Sequence, residues 1–130
     1  YRLGLYASRD YAARNRLPGC IDELPAHRLI GYVEDLMPSE RLNVARTVWG
    51  GWQSNIAISS PVGQVEAVKA GLGIGVLHDF LLNNKDGLLP VFPDLCLSRE
   101  FFLVSHPTMD RIPRIHTVLD FMRSLRNSVR

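Results

Sequence analysis

Residues 60–77 read SPVGQVEAVKAGLGIGVL and decide the fold, because they predict a helix, a turn and a strand in that order. Ser60 is a preferred N-cap residue, and Pro61 is favoured at the first position of a helix. Gly71 supplies the left-handed residue at which such a helix ends. The apolar residues 73–77 then predict a short buried strand.

The three glycines of this stretch invite comparison with a nucleotide-binding loop, but their position argues against it. A dinucleotide fingerprint needs a strand, then glycines, then the N-terminus of a helix directed at phosphate. Here the glycines follow a helix, whose C-terminal end carries partial negative charge that repels phosphate. We therefore interpret Gly71, Gly73 and Gly75 as turn and packing residues.

Outward from this stretch, short apolar strands alternate with capped helices. The further strands are predicted over Leu3–Ala7, Arg28–Val33, Ile56–Ile58, Leu88–Val91 and Phe101–Ser105. The further helices are predicted to begin after Ser8, after Ser39 and at Pro113, with a brief helical piece over Asp79–Asn83. Strands without polar alternation indicate a sheet that is covered on both faces, which is the α/β pattern with parallel strands.

The composition is that of one ordinary domain, or of one lobe and a piece of another. The 130 residues are 46% hydrophobic and carry a net charge of +2, which is too mild to indicate nucleic acid or a membrane surface as a partner. No stretch is long and apolar enough for a membrane span. Cys20 and Cys96 follow no metal or redox pattern, and we expect buried or partly buried free thiols in a reduced, cytoplasmic protein.

The titratable and nucleophilic side chains form no pattern that predicts catalysis or a cofactor. Four histidines lack metal-ligand spacing with each other or with a cysteine: His27, His78, His106 and His116. Ser59 and Ser60 lack the glycine-flanked nucleophile motif of hydrolases. The adjacent Glu34 and Asp35 point apart on extended backbone. We therefore expect no catalytic residue, no metal and no cofactor, and a protein that is not an enzyme.

Two tryptophans flank a Gly-Gly pair and allow two interpretations. In the first interpretation, Trp49 and Trp52 form an aromatic wall for a ligand. In the second, which occurs more often, they close the end of a helix against the core or lie in a subunit interface.

The start of the helix at Ser60 is the strongest candidate for a ligand site. Its free N–H groups and positive dipole end suit an anion, and it directly follows a strand of an open α/β sheet. The predicted ligand-binding residues there are Ser60, Pro61, Val62, Gly63 and Gln64. Leu36 and Met37 follow the strand over Arg28–Val33 in the same way and are predicted to line the same cleft. A plain N-cap without a ligand is the alternative.

Residues 65–77 (VEAVKAGLGIGVL) resemble a segment of the effector-binding domain of LysR-type transcriptional regulators. Three further parts agree in order and spacing. They are Leu5–Ser8 with Tyr11, Asp22–Leu24 with His27, Leu29 and Ile30, and His106–Pro107 with Arg111, Pro113 and Arg114. The chain departs from the family at His78-Asp79, where a proline often follows the leucine. The resemblance spans essentially the whole chain.

This resemblance implies a fold like that of type 2 periplasmic binding proteins, with residues 1–95 as lobe II and 96–130 as the returning part of lobe I. It implies a small effector, usually an organic anion, between the lobes. It also implies a regulator that binds DNA as an oligomer, through a winged helix-turn-helix that would precede Tyr1. Family dimers place the strand Arg28–Val33 and the helix Arg41–Trp49 against lobe I of another copy. A solute-binding protein of a transporter is the alternative, and an enzyme of similar fold is a weaker one.

Overall fold

The computed structural model describes residues 1–37, 39, 42–82, 87–106, 108–109 and 112–125. Its strands are β1 (Arg2–Ser8), β2 (Leu29–Gly31), β3 (Ile56–Ala57), β4 (Ile74–His78), β5 (Leu88–Pro90) and β6 (Leu97–Ser98). Its α-helices are α1 (Arg9–Arg14), α2 (Val44–Val48), α3 (Pro61–Lys69) and α4 (Pro113–Ser124). Short 3₁₀ turns cover Ile21–Ala26, Glu34–Leu36 and Asp79–Leu81.

The strands form one sheet in the order β3-β2-β4-β1-β5, and β6 also pairs with β1. Strand β2 is parallel to β3 and β4, whereas β1 is antiparallel to β4, β5 and β6. The predicted α/β fold is therefore confirmed, but the sheet is mixed rather than parallel. Apolar strands indicate burial on both faces and say nothing of direction, which the connections between strands decide.

Both faces of the sheet are covered by other elements. Neighbouring residues of a strand point to opposite faces, so they belong to different core clusters. Leu29 and Val76 belong to a cluster with α2, the Ile21–Ala26 turn and Trp52. Ile30 and Leu77 belong to a second cluster, in which the apolar side of α3 packs on the other face. The fully buried Trp52 is thus a core residue, as the second interpretation of the tryptophans held.

The stretch that predicts the fold forms as expected. The Oγ of Ser60 accepts a hydrogen bond from the N–H of Gly63 at 3.3 Å and caps α3. Gly71 has a φ of 73° and ends that helix. A Cβ on Gly73 would lie 2.3 Å from the carbonyl oxygen of Arg28, so the close approach of the two chains requires glycine.

The predicted strand over Phe101–Ser105 is wrong. Residues 101–105 have no regular secondary structure, and the side chains of Phe101, Phe102, Leu103 and Val104 are exposed. A strand forms only where another strand supplies its main-chain hydrogen bonds. No described residue makes a main-chain hydrogen bond with 101–104, so this apolar segment has no sheet to join.

The helix predicted after Ser39 is shorter than expected and begins elsewhere. The α-helix runs over Val44–Val48, and the side chain of Asn43, not Ser39, accepts the capping hydrogen bond from Arg46 N. Asn43 takes this role because its short amide reaches the free N–H groups of the first turn. The predicted range Arg41–Trp49 falls partly outside the described residues, as Arg41 itself does.

The prediction that both cysteines are buried or partly buried is also wrong, whereas the prediction that they are free thiols is confirmed. Cys20 and Cys96 are free and exposed, because each lies in an irregular segment just before a short element rather than on a core face. The Nε of Arg2 donates a hydrogen bond to the Sγ of Cys96 at 2.9 Å on the protein surface.

Some predicted features lie outside the described residues. They are Asn83 at the end of the helical piece after β4, and Pro107 and Arg111 of the late family motif. Within the ranges described above, no helix has the length and hydrophobicity needed to cross a membrane.

Candidate functional site

A cavity of about 300 Å³ opens at the edge of the sheet where β2 and β4 end. Its size is at the lower end of the range for small-molecule sites. It is lined by Tyr1, Tyr32, Val33, Leu36, Met37, Leu42, Val44, Ser59, His78 and Arg99. The lining is mainly aromatic and aliphatic, with a few polar groups.

The topology brings these residues to one edge. Tyr32 and Val33 follow β2, Ser59 follows β3, and His78 is the last residue of β4. Because β1 is antiparallel to β4, the residue that precedes β1, Tyr1, lies at the same edge. Ligands of open α/β sheets bind beyond the carboxyl ends of such strands, so the cavity lies where a ligand is expected.

Tyr1 and Arg99 lie opposite each other at the end of the ladder between β1 and β6. The main-chain nitrogen of Tyr1 donates to the carbonyl oxygen of Arg99 at 2.7 Å, and the main-chain nitrogen of Arg99 donates to the carbonyl oxygen of Tyr1 at 2.9 Å. Residues that exchange both bonds across an antiparallel pair have side chains on the same face. The phenol ring and the guanidinium therefore reach the cavity side by side.

Arg99 provides the positive charge of the cavity wall. Arg99 is a half-buried residue, and among the described residues its guanidinium makes one long hydrogen bond, from Nη2 to the Oγ1 of Thr47 at 3.4 Å. No carboxylate of the described part of the chain forms an ion pair with it. Since a guanidinium has five N–H donors, most of them remain available to an anionic group.

Two of the lining residues, Tyr1 and His78, belong to a group of contacting aromatic rings. The ring of Tyr1 stacks on Phe101, with centroids 4.3 Å apart, and on His78, with centroids 5.5 Å apart. Phe80 contacts both Tyr1 and His78 edge-on. These contacts hold the Tyr1 ring in place. Tyr32 has no ring partner in the described part of the chain, and its hydroxyl makes no hydrogen bond there.

Burial favours the neutral form of two titratable side chains of the lining, His78 and Tyr32. Burial lowers the pKa of the His78 imidazole, although the nearby Asp79 carboxylate opposes this shift. Burial also raises the pKa of the Tyr32 hydroxyl, with a smaller contribution from Tyr1. Among the described residues that line the cavity, Arg99 is therefore the charged side chain.

Two of the predicted ligand residues, Leu36 and Met37, lie in the cavity wall. Leu36 ends the 3₁₀ turn that begins at Glu34, and Met37 follows it. The Glu34 carboxylate accepts hydrogen bonds from Arg46 and from Asn43 Nδ2. These contacts tie the turn to α2. The loop that the rule on strand ends selected thus lines the cavity, and its contact with a ligand stays a prediction.

The predicted residues at the start of α3 lie beside the cavity rather than in its wall. Ser60 and Pro61 form the cap and first turn, and Val62 is exposed to solvent. Gly63 lies against Ile58, while the buried Gln64 donates from Nε2 to the carbonyl oxygen of that residue at 2.8 Å. Their contact with a ligand stays a prediction.

The sequence reasoning missed most of the wall. Tyr32, Val33 and His78 stand at strand ends and were open to the same rule that selected Leu36 and Met37. Arg99 carried no such signal, because β6 has two residues and its pairing with β1 cannot be seen in the sequence.

Metal chemistry finds no support within the described residues. No three side chains of His, Cys, Asp or Glu come together there as a metal site. His27, one of the four histidines, is a hydrogen-bonding partner of the Tyr11 hydroxyl at 3.0 Å, which accounts for it structurally.

Solved structures of similar fold come from bacterial regulators. The regulatory domain of CrgA, a LysR-type transcriptional regulator from Neisseria meningitidis, is 22% identical with a TM-score of 0.66, covering 92% of this chain and 62% of that domain. The regulatory domain of AphB in Vibrio vulnificus is 15% identical with a TM-score of 0.60, covering 95% of this chain and 65% of that one. This chain therefore spans less than two thirds of either domain.

No curated protein is significantly similar to this chain in sequence. The sequence profile described as the LysR substrate binding domain, however, matches residues 1–126. That match covers nearly all of the 130 residues, and the fold agrees with it. The chain belongs to the LysR substrate-binding domain family.

Proposed function

We propose that this domain senses a small organic anion as the effector-binding part of a LysR-type, DNA-binding transcriptional regulator. The observation that supports it is the cavity at the strand ends, where the half-buried Arg99 lacks a carboxylate partner among the described residues. An unpaired guanidinium in an apolar wall favours an anionic ligand. A role in regulation rather than catalysis accords with the family.

The proposed binding site is a cleft between two lobes. Residues 1–95 would form lobe II, and residues 96–130 would belong to the returning part of lobe I. The cavity residues and the start of α3, Ser60–Gln64, would then face the ligand from lobe II. A contribution of Leu36 and Met37 to ligand binding is supported by their place in the cavity wall.

The proposed partners beyond the effector are a second copy of this chain and DNA. DNA would be bound by a separate winged helix-turn-helix of the whole regulator, in the cytoplasm. Self-association is supported by the exposed apolar segment Phe101–Val104 and by exposed apolar residues of α4, among them Val118 and Phe121. Large exposed apolar surfaces mark interfaces more often than they stay open to water.

A solute-binding protein of a transporter is the alternative with the same fold. The two functions differ in what the ligand changes. An effector alters the affinity of the protein for DNA, whereas a transported solute does not.

A ligand screen on the full-length protein tests the proposal. Thermal unfolding is followed with a panel of small organic acids and matched uncharged analogues, and each stabilising compound is then added to a DNA-binding assay. We expect stabilisation by at least one acid together with a changed affinity for promoter DNA, since a ligand that binds only the native state raises its stability. No stabilisation by any compound, or stabilisation without an effect on DNA binding, contradicts the proposed function.

A further inference from the structure

We propose that the effector is a small aromatic monocarboxylate, whose carboxylate binds Arg99 and whose ring packs on Tyr32. This inference rests on the proposed function and narrows the ligand from organic anions in general to one chemical class. Three features of the cavity support it: the charged side chains in its lining, the polar groups that lack a hydrogen bond to a described residue, and the Tyr32 ring, which lacks a ring partner among the described residues.

The charge count favours a single carboxylate. Among the described lining residues Arg99 is the single one with a cationic side chain, and none of them is Asp or Glu. A second carboxylate on the ligand would lose water without gaining a charged partner, which costs free energy. An uncharged ligand would leave the guanidinium of Arg99 unpaired.

The lining favours an aromatic body. The lining includes five aliphatic side chains, which disfavour a polar ligand such as a sugar acid: Val33, Leu36, Met37, Leu42 and Val44. Among the tyrosines, Tyr1 is already stacked on Phe101 and His78, so its ring is committed to protein contacts. The Tyr32 ring is half-buried and has no ring partner among the described residues, so it offers a face on which a ligand ring can stack.

The free polar groups limit the substituents that fit. The hydroxyls of Tyr1 and Tyr32 and the imidazole of His78 make no hydrogen bond to any described residue. A phenol can donate or accept, and so can a neutral imidazole. A ring that carries a hydroxyl or amino group would satisfy these groups, whereas an unsubstituted ring leaves them to water.

Three probes of similar size separate charge from ring. They are benzoate, benzamide and hexanoate, measured on the full-length protein by calorimetry at pH 7. We expect benzoate to bind at least ~10-fold more tightly than benzamide, which lacks the charge, because hydrogen bonds to charged groups are the strong ones. We also expect benzoate to bind more tightly than hexanoate, which lacks the ring.

Variants connect each preference to its residue. Arg99→Gln should abolish the preference for benzoate over benzamide, while Arg9→Gln, on the exposed start of α1, should preserve it. Tyr32→Leu should abolish the preference for benzoate over hexanoate, and Tyr32→Phe should retain it because the ring remains. Unfolding temperatures of the ligand-free variants show that each one folds.

The outcomes are distinct. The inference is overturned if benzoate fails to bind, if benzamide or hexanoate binds as tightly as benzoate, or if Arg99→Gln leaves the preference for charge unchanged. In those cases the proposed function still stands if another organic acid of the wider panel binds and changes the affinity for DNA. It fails as well only if no member of that panel does both.

Discussion

Arg46 binds both carboxylate oxygens of Glu34, through Nε at 3.1 Å and through Nη2 at 2.9 Å. This bidentate pair joins α2 to the turn over Glu34–Leu36, and Leu36 and the following Met37 form part of the cavity wall. Both partners are almost half exposed, at 44% and 47% of the side-chain surface, so their effect on global stability is small. Their effect on the position of the turn is the more important one.

Glu34→Gln tests this view. The amide keeps the shape but loses the charge, so we expect the free energy of unfolding to change by less than about 1 kcal/mol. The affinity for any ligand of the cavity should fall several-fold, because the wall is no longer held in place. Chemical denaturation and calorimetry measure the two quantities. A large loss of stability with unchanged affinity would contradict the positioning role.

Gly73 provides a prediction on folding that is independent of any ligand. Its added Cβ would lie 2.3 Å from the main-chain oxygen of Arg28, which cannot move without disturbing β2. We expect Gly73→Ala to destabilise the domain by about 1–3 kcal/mol, as overpacking does. Gly50→Ala is the matched control, because nothing lies within 4 Å of its added Cβ. Urea denaturation compares the two variants. Equal free energies of unfolding would show that the space between Gly73 and the carbonyl oxygen of Arg28 accommodates a methyl group.

Tyr6 makes the free energy of unfolding depend on pH in the alkaline range. Burial and a hydrogen bond to Asp79 Oδ1, at 2.9 Å, raise the pKa of its hydroxyl to about 12 from 10.0. Between these values the unfolded chain binds fewer protons than the folded one, so the free energy of unfolding falls as the pH rises from about 10 to 12. Tyr6→Phe should remove this part of the fall. If the pH dependence of the variant equals that of the parent, Tyr6 does not contribute.

Much of the fold could be predicted from sequence, because local signals decided it. Ser8 and Ser60 cap their helices as expected, and Gly71 ends α3 as expected. These features depend on side chains within three or four residues of the main-chain groups they satisfy. Two of the predictions that failed concern long-range relations, namely the direction of β1 in the sheet and the pairing of Phe101–Ser105. The start of α2 is a local failure, because Asn43 rather than Ser39 supplies its cap.

The candidate site shows the same division. Leu36 and Met37 were accessible to a rule that uses strand ends alone, because β2 itself was predicted. Arg99 reaches the cavity only through the pairing of β6 with β1, which joins residues 98 positions apart. Its importance rests on what is missing around it among the described residues, and a sequence pattern does not reveal an unpaired charge.

The exposed segment Phe101–Val104 predicts self-association. Phe102 and Val104 are 80% and 86% exposed, whereas Phe101 is held by Tyr1. We expect Phe102→Glu with Val104→Glu to weaken self-association by at least ~10-fold, since burial of each apolar side chain contributes about 1.5–3 kcal/mol. Val62→Glu, at an exposed site on α3, is the matched control and should leave association unchanged. Sedimentation over a range of concentrations measures the effect. A monomeric parent protein, or a double variant that associates as the parent does, would show that this surface is not an interface between copies.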